Sequence, residues 1–255
     1  MRRKILMFVV VSLVCGALGC GFGGEKPSED RGKILKVGTS ADFPPFEFET
    51  TRHKEFQGFD MDLIRAVGEE MGFETDIGNF TFVELAPALE DKKIDLIISG
   101  LTITDERKKK MLFTEPYYHS GRAIVVRYDN YSINNFVDLK GKRVAVQEGG
   151  TGAEELKKIG GIDVKEFKNQ PDMFMELNIG GVDAVVGDRP VNDYYIHNYG
   201  MASVKALDGV INTEDYGIAV HRDNEELRKK LDDALKKLHE NGKFAKIYAK
   251  WFGNK

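Results

Sequence analysis

Cysteine is almost missing: the 255 residues contain two, Cys15 and Cys20, both inside the first twenty positions. A domain that begins after them can close no internal disulfide and must be held by its core. Tryptophan occurs once, at Trp251, and beyond the N-terminus no apolar run approaches the roughly 20 residues that a spanning helix needs. His53, His119, His197, His221 and His239 are scattered, and no His/Cys group has metal-ligand spacing. A Gly-x-Ser-x-Gly elbow is lacking too, so nothing points to a metal centre or a serine nucleophile. Residues 19–24 spell Gly-x-Gly-x-x-Gly without the preceding strand and following helix of a dinucleotide loop, and no cofactor is expected. Positive charge is not in excess either. The formal net charge is −4, and the basic runs 107–110 and 236–237 read as solvated helix faces balanced by nearby acids, which speaks against nucleic acid as a partner.

What is present begins with a leader. Arg2, Arg3 and Lys4 precede the apolar stretch 5–14, and Ala17-Leu18-Gly19 supply small residues at a cleavage site, the layout of a secretory signal over 1–19. Export to the periplasm or the outer face of the membrane follows. Cys20, just after the apolar stretch, resembles a lipoprotein processing site, with plain cleavage as the alternative; acylation there would be the chain's one membrane contact. Loss of the three basic leader residues moves the formal charge from −4 to −7. Residues 20–32, rich in Gly, Pro, Ser and charge, read as a flexible spacer.

From residue 33 onward short β-branched runs alternate with helical periodicity, the pattern of an α/β protein with largely parallel sheets. Strands are expected over 35–38, 74–77, 94–99, 123–127, 143–147, 163–167, 182–186, 203–206 and 217–221. Asp60 is a candidate cap for an amphipathic helix over 61–71, Thr104 for a short basic helix containing Arg107, and further helices are expected over 224–240 and 243–252. Residues 93–100 and 181–188 echo one another, each with an aspartate before an apolar strand and a polar group after it. The echo suggests two similar lobes, 33–116 with 217–255 and 122–211, joined by crossings at 117–121 and 212–216 that form a hinge. Ligands of open α/β sheets bind outside the strand C-termini, hence in the crevice between such lobes.

One run carries chemistry. Ser99-Gly100-Leu101-Thr102-Ile103-Thr104-Asp105-Glu106-Arg107 follows a strand and offers a guanidinium that matches a carboxylate bidentately, a hydroxyl donor and a glycine that permits close backbone approach. The plain alternative is that Arg107 pairs with Asp105 or another surface acid. The run reads as a grip on the carboxylate of a small zwitterion.

Five segments in order then resemble one family: 38–48 (GTSADFPPFEF), 58–63 (GFDMDL), 99–107, 144–152 (VAVQEGGTG) and 183–188 (DAVVGD), with 216–220 (YGIAV) as a sixth. The chain resembles the polar amino-acid-binding proteins of the ABC-importer solute-binding class over nearly all of its length after residue 35. That resemblance implies a two-lobed periplasmic-binding-protein fold of type II, a free L-amino acid as ligand, a membrane permease as partner, and a monomer. It also implies roles. Arg107, Thr102 and backbone amides near Gly100, Thr151 and Gly152 would hold the α-carboxylate. Asp188, with the Gly100 carbonyl, would hold the α-ammonium. Phe43 and Phe82 would sandwich the side chain, and Ser40, Glu47 and Gln147 would meet its far end. Each has a plainer reading: core packing for the two phenylalanines, a helix cap for Asp188, an ordinary helix start for Thr151 and Gly152, an exposed strand charge for Glu47. Glu47 favours a basic ligand, arginine or lysine, because a buried cation needs an anion; glutamine is the alternative. A dehydratase-like enzyme on the same fold would need a perturbed base poised over a substrate carbon, and none is evident. A sensor domain passing its signal to a receptor would require a separate output partner.

Overall fold

A computed structural model describes residues 33–50, 55–199 and 201–253. The leader, Cys20, the spacer to residue 32 and His53 lie outside the described residues. The first half of the chain forms β1 (Lys33–Thr39), the short strands β2 (Asp42–Phe43), β3 (Glu47–Glu49) and β4 (Phe56–Gln57), α1 (Phe59–Met71), β5 (Phe73–Asn79), α2 (Phe82–Glu90), β6 (Leu96–Ile97), α3 (Asp105–Lys108) and β7 (Met111–Phe113). Then come β8 (Tyr118–Arg127), β9 (Arg143–Gln147), α4 (Thr151–Ile159), β10 (Asp163–Phe167), α5 (Gln170–Ile179), β11 (Ala184–Asp188) and α6 (Arg189–Asn198). The chain closes with β12 (Val204–Ala206), β13 (Thr213–Tyr216), β14 (Ala219–His221), α7 (Glu225–Glu240) and α8 (Lys243–Phe252).

Two α/β sheets result. One has the order β5-β1-β6-β14-β7, the other β10-β9-β11-β8-β12. In each, the strands joined through helices pair in parallel, while β14 and β8, which follow the passages between the sheets, pair antiparallel with their neighbours. The sheets are therefore mixed, with the parallel half carried by the βαβ units.

The echo in the sequence has a physical basis. Asp95 accepts the Lys36 backbone N–H at 2.8 Å, and Asp183 accepts the Arg143 N–H at 2.9 Å. In both sheets an aspartate ahead of the inner strand accepts a backbone N–H of its parallel neighbour, and Asp183 adds a two-point ion pair with the Arg143 guanidinium. The same device is used twice.

The helix over 61–71 begins earlier than expected. Gly58 caps α1 at φ 130°, where a Cβ would lie 1.9 Å from the Phe46 carbonyl oxygen, so the entry accepts glycine alone. Asp60 is consequently not the cap: it sits in the first turn, fully buried, and accepts the distant Gly100 N–H at 2.9 Å and the Tyr117 hydroxyl at 2.7 Å. Thr104 does cap α3, its hydroxyl accepting the Arg107 N–H at 3.2 Å. The strand expected over 94–99 shortens to β6, because the chain turns away at Ser99 and Gly100. Strands β2, β3, β4, β7 and β13 have two to four residues each, too few for an alternating pattern to show.

Two strands connect the sheets. Tyr118 to Gly121 of β8 pair antiparallel with Thr213 to Tyr216 of β13, so the chain passes between the sheets as a two-stranded ribbon. An aromatic cluster packs on it: Phe46 meets Tyr118 at 4.8 Å, Tyr216 at 5.3 Å and Phe252 of α8 at 5.4 Å between ring centroids. Buried aromatic pairs of this kind contribute about 0.5–1.5 kcal/mol each beyond their area. This packing anchors the C-terminal helix beside the ribbon.

Candidate functional site

The C-terminal ends of four parallel strands converge on one cavity. Beyond β1 come Phe43 and Glu47; beyond β6, Ser99, Gly100 and Thr102; at the end of β9, Gln147, and beyond it Thr151 and Gly152; and at the end of β11, Asp188. Phe82 of α2, Arg107 of α3, Arg122 of β8 and Gln170 and Met173 of α5 also stand in the wall. Ten of the eleven residues singled out from the sequence line it. Ser40 lies one layer behind, donating its N–H to the Ser99 hydroxyl at 3.0 Å and its own hydroxyl to Asp42 at 3.2 Å.

Opposite charges stand unpaired on the two sides. Arg107 donates to the carbonyl oxygens of Thr102 (2.9 Å) and Gly149 (3.3 Å) and lies 5.5 Å from the Phe82 ring centre. It makes no ion pair with Asp105 or any other acid among the described residues, and burial pushes its pKa down. Asp188 accepts one hydrogen bond, from the Ser120 hydroxyl at 3.0 Å, and its side chain is not spent on capping α6. Burial first, and then the nearby Glu214, push its pKa up to about 6. A cation without an anion and an anion without a cation, both desolvated, favour a ligand that brings one of each.

Sequence reasoning missed the group that braces the Arg107 side. Arg122, 3% exposed at its side chain, forms ion pairs with Glu155 and Glu214 and donates to the Thr151 hydroxyl at 2.7 Å. The Thr151 and Thr102 hydroxyls in turn donate to Glu214, at 2.8 and 3.2 Å. The Thr102 hydroxyl, expected to meet a ligand carboxylate, is thus engaged by the ribbon strand β13. Local sequence gave no signal for this network, since Arg122 and Glu214 are 92 positions apart.

The far end is closed by acids. Glu47 is fully buried and accepts the Ser99 hydroxyl at 2.8 Å. Gly100 sits there at φ 50°, and a Cβ on it would lie 2.8 Å from the Phe43 ring. Glycine at this position is what lets Phe43 form the wall.

Residues 35–254 match the model of the bacterial extracellular solute-binding proteins, family 3. The chain belongs to that family. A probable histidine-binding protein of Neisseria gonorrhoeae is 36% identical over 258 residues, covering 96% of this chain and 95% of that protein. The ABC transporter arginine-binding protein 1 of Escherichia coli is 35% identical over 256 residues and 99% of each chain. An ancestral arginine-binding protein, solved with arginine and with glutamine, superposes with a TM-score of 0.83 at 43% identity, over 86% and 87% of this chain in the two structures and 98% of its own. The architecture is accordingly the two-lobed type II fold. As a family 3 member the protein binds a solute outside the cytoplasm rather than transforming it. No helix among the described residues is long and apolar enough to cross a membrane.

Proposed function

We propose that the protein captures a basic L-amino acid, arginine before lysine, and delivers it to the permease of an ABC importer. Arg107 and the α4 N-terminus at Thr151 and Gly152 take the α-carboxylate, and Asp188 with the Gly100 carbonyl takes the α-ammonium. Phe43 and Phe82 flank the side chain, and Glu47 and Gln147 receive its end; Ser40 supports them from behind. The observation that carries the reading is the pair of unneutralised opposite charges, Arg107 and Asp188, in one cavity. Glutamine is the second reading, supported by the glutamine-bound ancestral structure.

The lobes are 33–116 with 217–255 and 122–211, and the ribbon is the hinge about which they open and close. Cleavage after residue 19 and acylation of Cys20 would tether a monomer to the membrane surface through the spacer.

Calorimetry on protein freed of any carried-over ligand tests this. Arginine should bind with micromolar or tighter affinity, and Arg107→Ala should abolish binding of every amino acid. Flat titrations with all twenty amino acids would remove the reading.

A further inference from the structure

Helix α5 opens on a buried amide that finds no partner among the described residues. Gln170 is its first residue, placed there by the Asn169 side chain, which caps the helix by accepting the Asp172 N–H at 2.9 Å, and by Pro171 in the first turn. Gln170 is 2% exposed, and its backbone N–H donates across the cleft to Asp42 of β2 at 3.0 Å. Its side-chain amide makes no hydrogen bond among the described residues, yet the residue stands in the cavity wall. Neither amide atom is among the wholly enclosed polar atoms that lack a partner, so both keep a path to the cavity. A buried primary amide with an unused oxygen and unused N–H groups is costly until a ligand bonds it.

The order of the strands says which part of a ligand that is. Gln170 follows β10, whose last residue, Phe167, is in register with Gln147 of β9, whereas Asp188 ends β11 on the opposite side of β9. Two interstrand spacings, about 10 Å, therefore separate the Gln170 side of the cleft from the Asp188 side. Across the cleft, the Gln170 N–H meets Asp42, the neighbour of Phe43, which itself pairs with Glu47. Gln170 thus belongs to the far end, with Glu47 and Gln147, away from the anchors of the two α-groups.

We infer that Gln170 is a specificity-determining residue, whose amide oxygen accepts a hydrogen bond from the end of a long side chain and so selects a guanidinium over shorter ends. This deepens the arginine reading and rests on it. A guanidinium spreads five N–H donors over a plane. Glu47 Oε2 receives no donor from the chain, and with the Gln147 and Gln170 oxygens it offers such a group acceptors from both sides of the cleft. The side chains of lysine and glutamine end earlier. Neither engages all three.

Calorimetry on ligand-free Gln170→Met tests the inference. Methionine keeps the length of the side chain and the backbone N–H to Asp42 while removing the amide. The arginine Kd should rise at least about tenfold, as for loss of a hydrogen bond to a charged group, with the glutamine and lysine Kd values within about threefold of wild type. The urea midpoint of the unliganded chain should not fall, because an unpartnered amide adds nothing to folding. A merely structural glutamine would instead lower that midpoint and weaken all three ligands alike. An arginine Kd within about threefold of wild type, or an equal loss for the three ligands, would overturn the inference while arginine binding by the wild-type chain stands. A wild-type chain that binds no arginine would take away the reading beneath it, and this inference with it.

Discussion

At the residue scale the site depends on groups held without slack. Gly100 combines a positive φ with the Phe43 ring at its Cβ position, so Gly100→Ala forces either the backbone or the ligand wall to move. We expect a stability loss of about 1 kcal/mol or more together with an affinity loss of at least about tenfold, read by urea denaturation and calorimetry on one preparation. Glu214 presents a different case. It anchors Arg122 and receives the Thr102 and Thr151 hydroxyls, so Glu214→Ala leaves a buried guanidinium with Glu155 as its remaining anion. A loss of roughly 1.5–3 kcal/mol in unfolding free energy is expected, within the range for hydrogen bonds to charged groups.

At the scale of elements, the helices carry stability and the strand ends carry binding. In α7, Leu227, Leu231, Ala234, Leu235 and Leu238 recur at helical spacing on the buried side, and the helix packs on α1 and β14. Leu231 is fully buried and lines no part of the cavity. Leu231→Ala should therefore cost about 2–5 kcal/mol while the ligand Kd stays within about twofold, provided the protein is kept below its lowered melting temperature. The helices were the readable elements. Residues 224–240 and 243–252 were expected as helices and form as α7 and α8, because three or four turns display the apolar period plainly. The strands β2, β3 and β4 gave no such signal. Phe46 and Phe48 beside them pack on Phe59 of α1 and on aromatics of α6 and α8, the last two far away along the chain.

At the scale of the whole molecule, the sides of the cleft meet without a ligand between every pair of surfaces. Asp42 accepts the Gln170 N–H at 3.0 Å, Tyr195 donates to the Asp42 carbonyl at 3.1 Å, and Arg107 reaches the Gly149 carbonyl. A ligand that binds only this arrangement stabilises it by mass action. With arginine at about 1,000 times its Kd, the unfolding free energy should rise by about 4 kcal/mol, and the melting temperature should climb with ligand concentration. A melting temperature that stays constant through saturation would mean that the unfolded chain binds equally well. Asp42→Ala should weaken this response by raising Kd, since it removes a contact across the cleft rather than one to the ligand.

By itself the chain of residues determined the α/β class and the helix starts at Thr104 and Asn224, and it singled out ten of the seventeen residues that line the cavity. Those features rest on local periodicity, on capping groups within three residues of their partners, and on motifs that stay contiguous in sequence. The placement of Asp60 beneath Gly100, of Glu214 beside Arg122, and of Ser40 behind Ser99 was decided only in three dimensions. In each case a buried polar group must find a partner, and the partner it finds is 40 or more positions away. Nothing in the immediate neighbourhood of such a residue says which distant donor or acceptor the folded chain will bring to it.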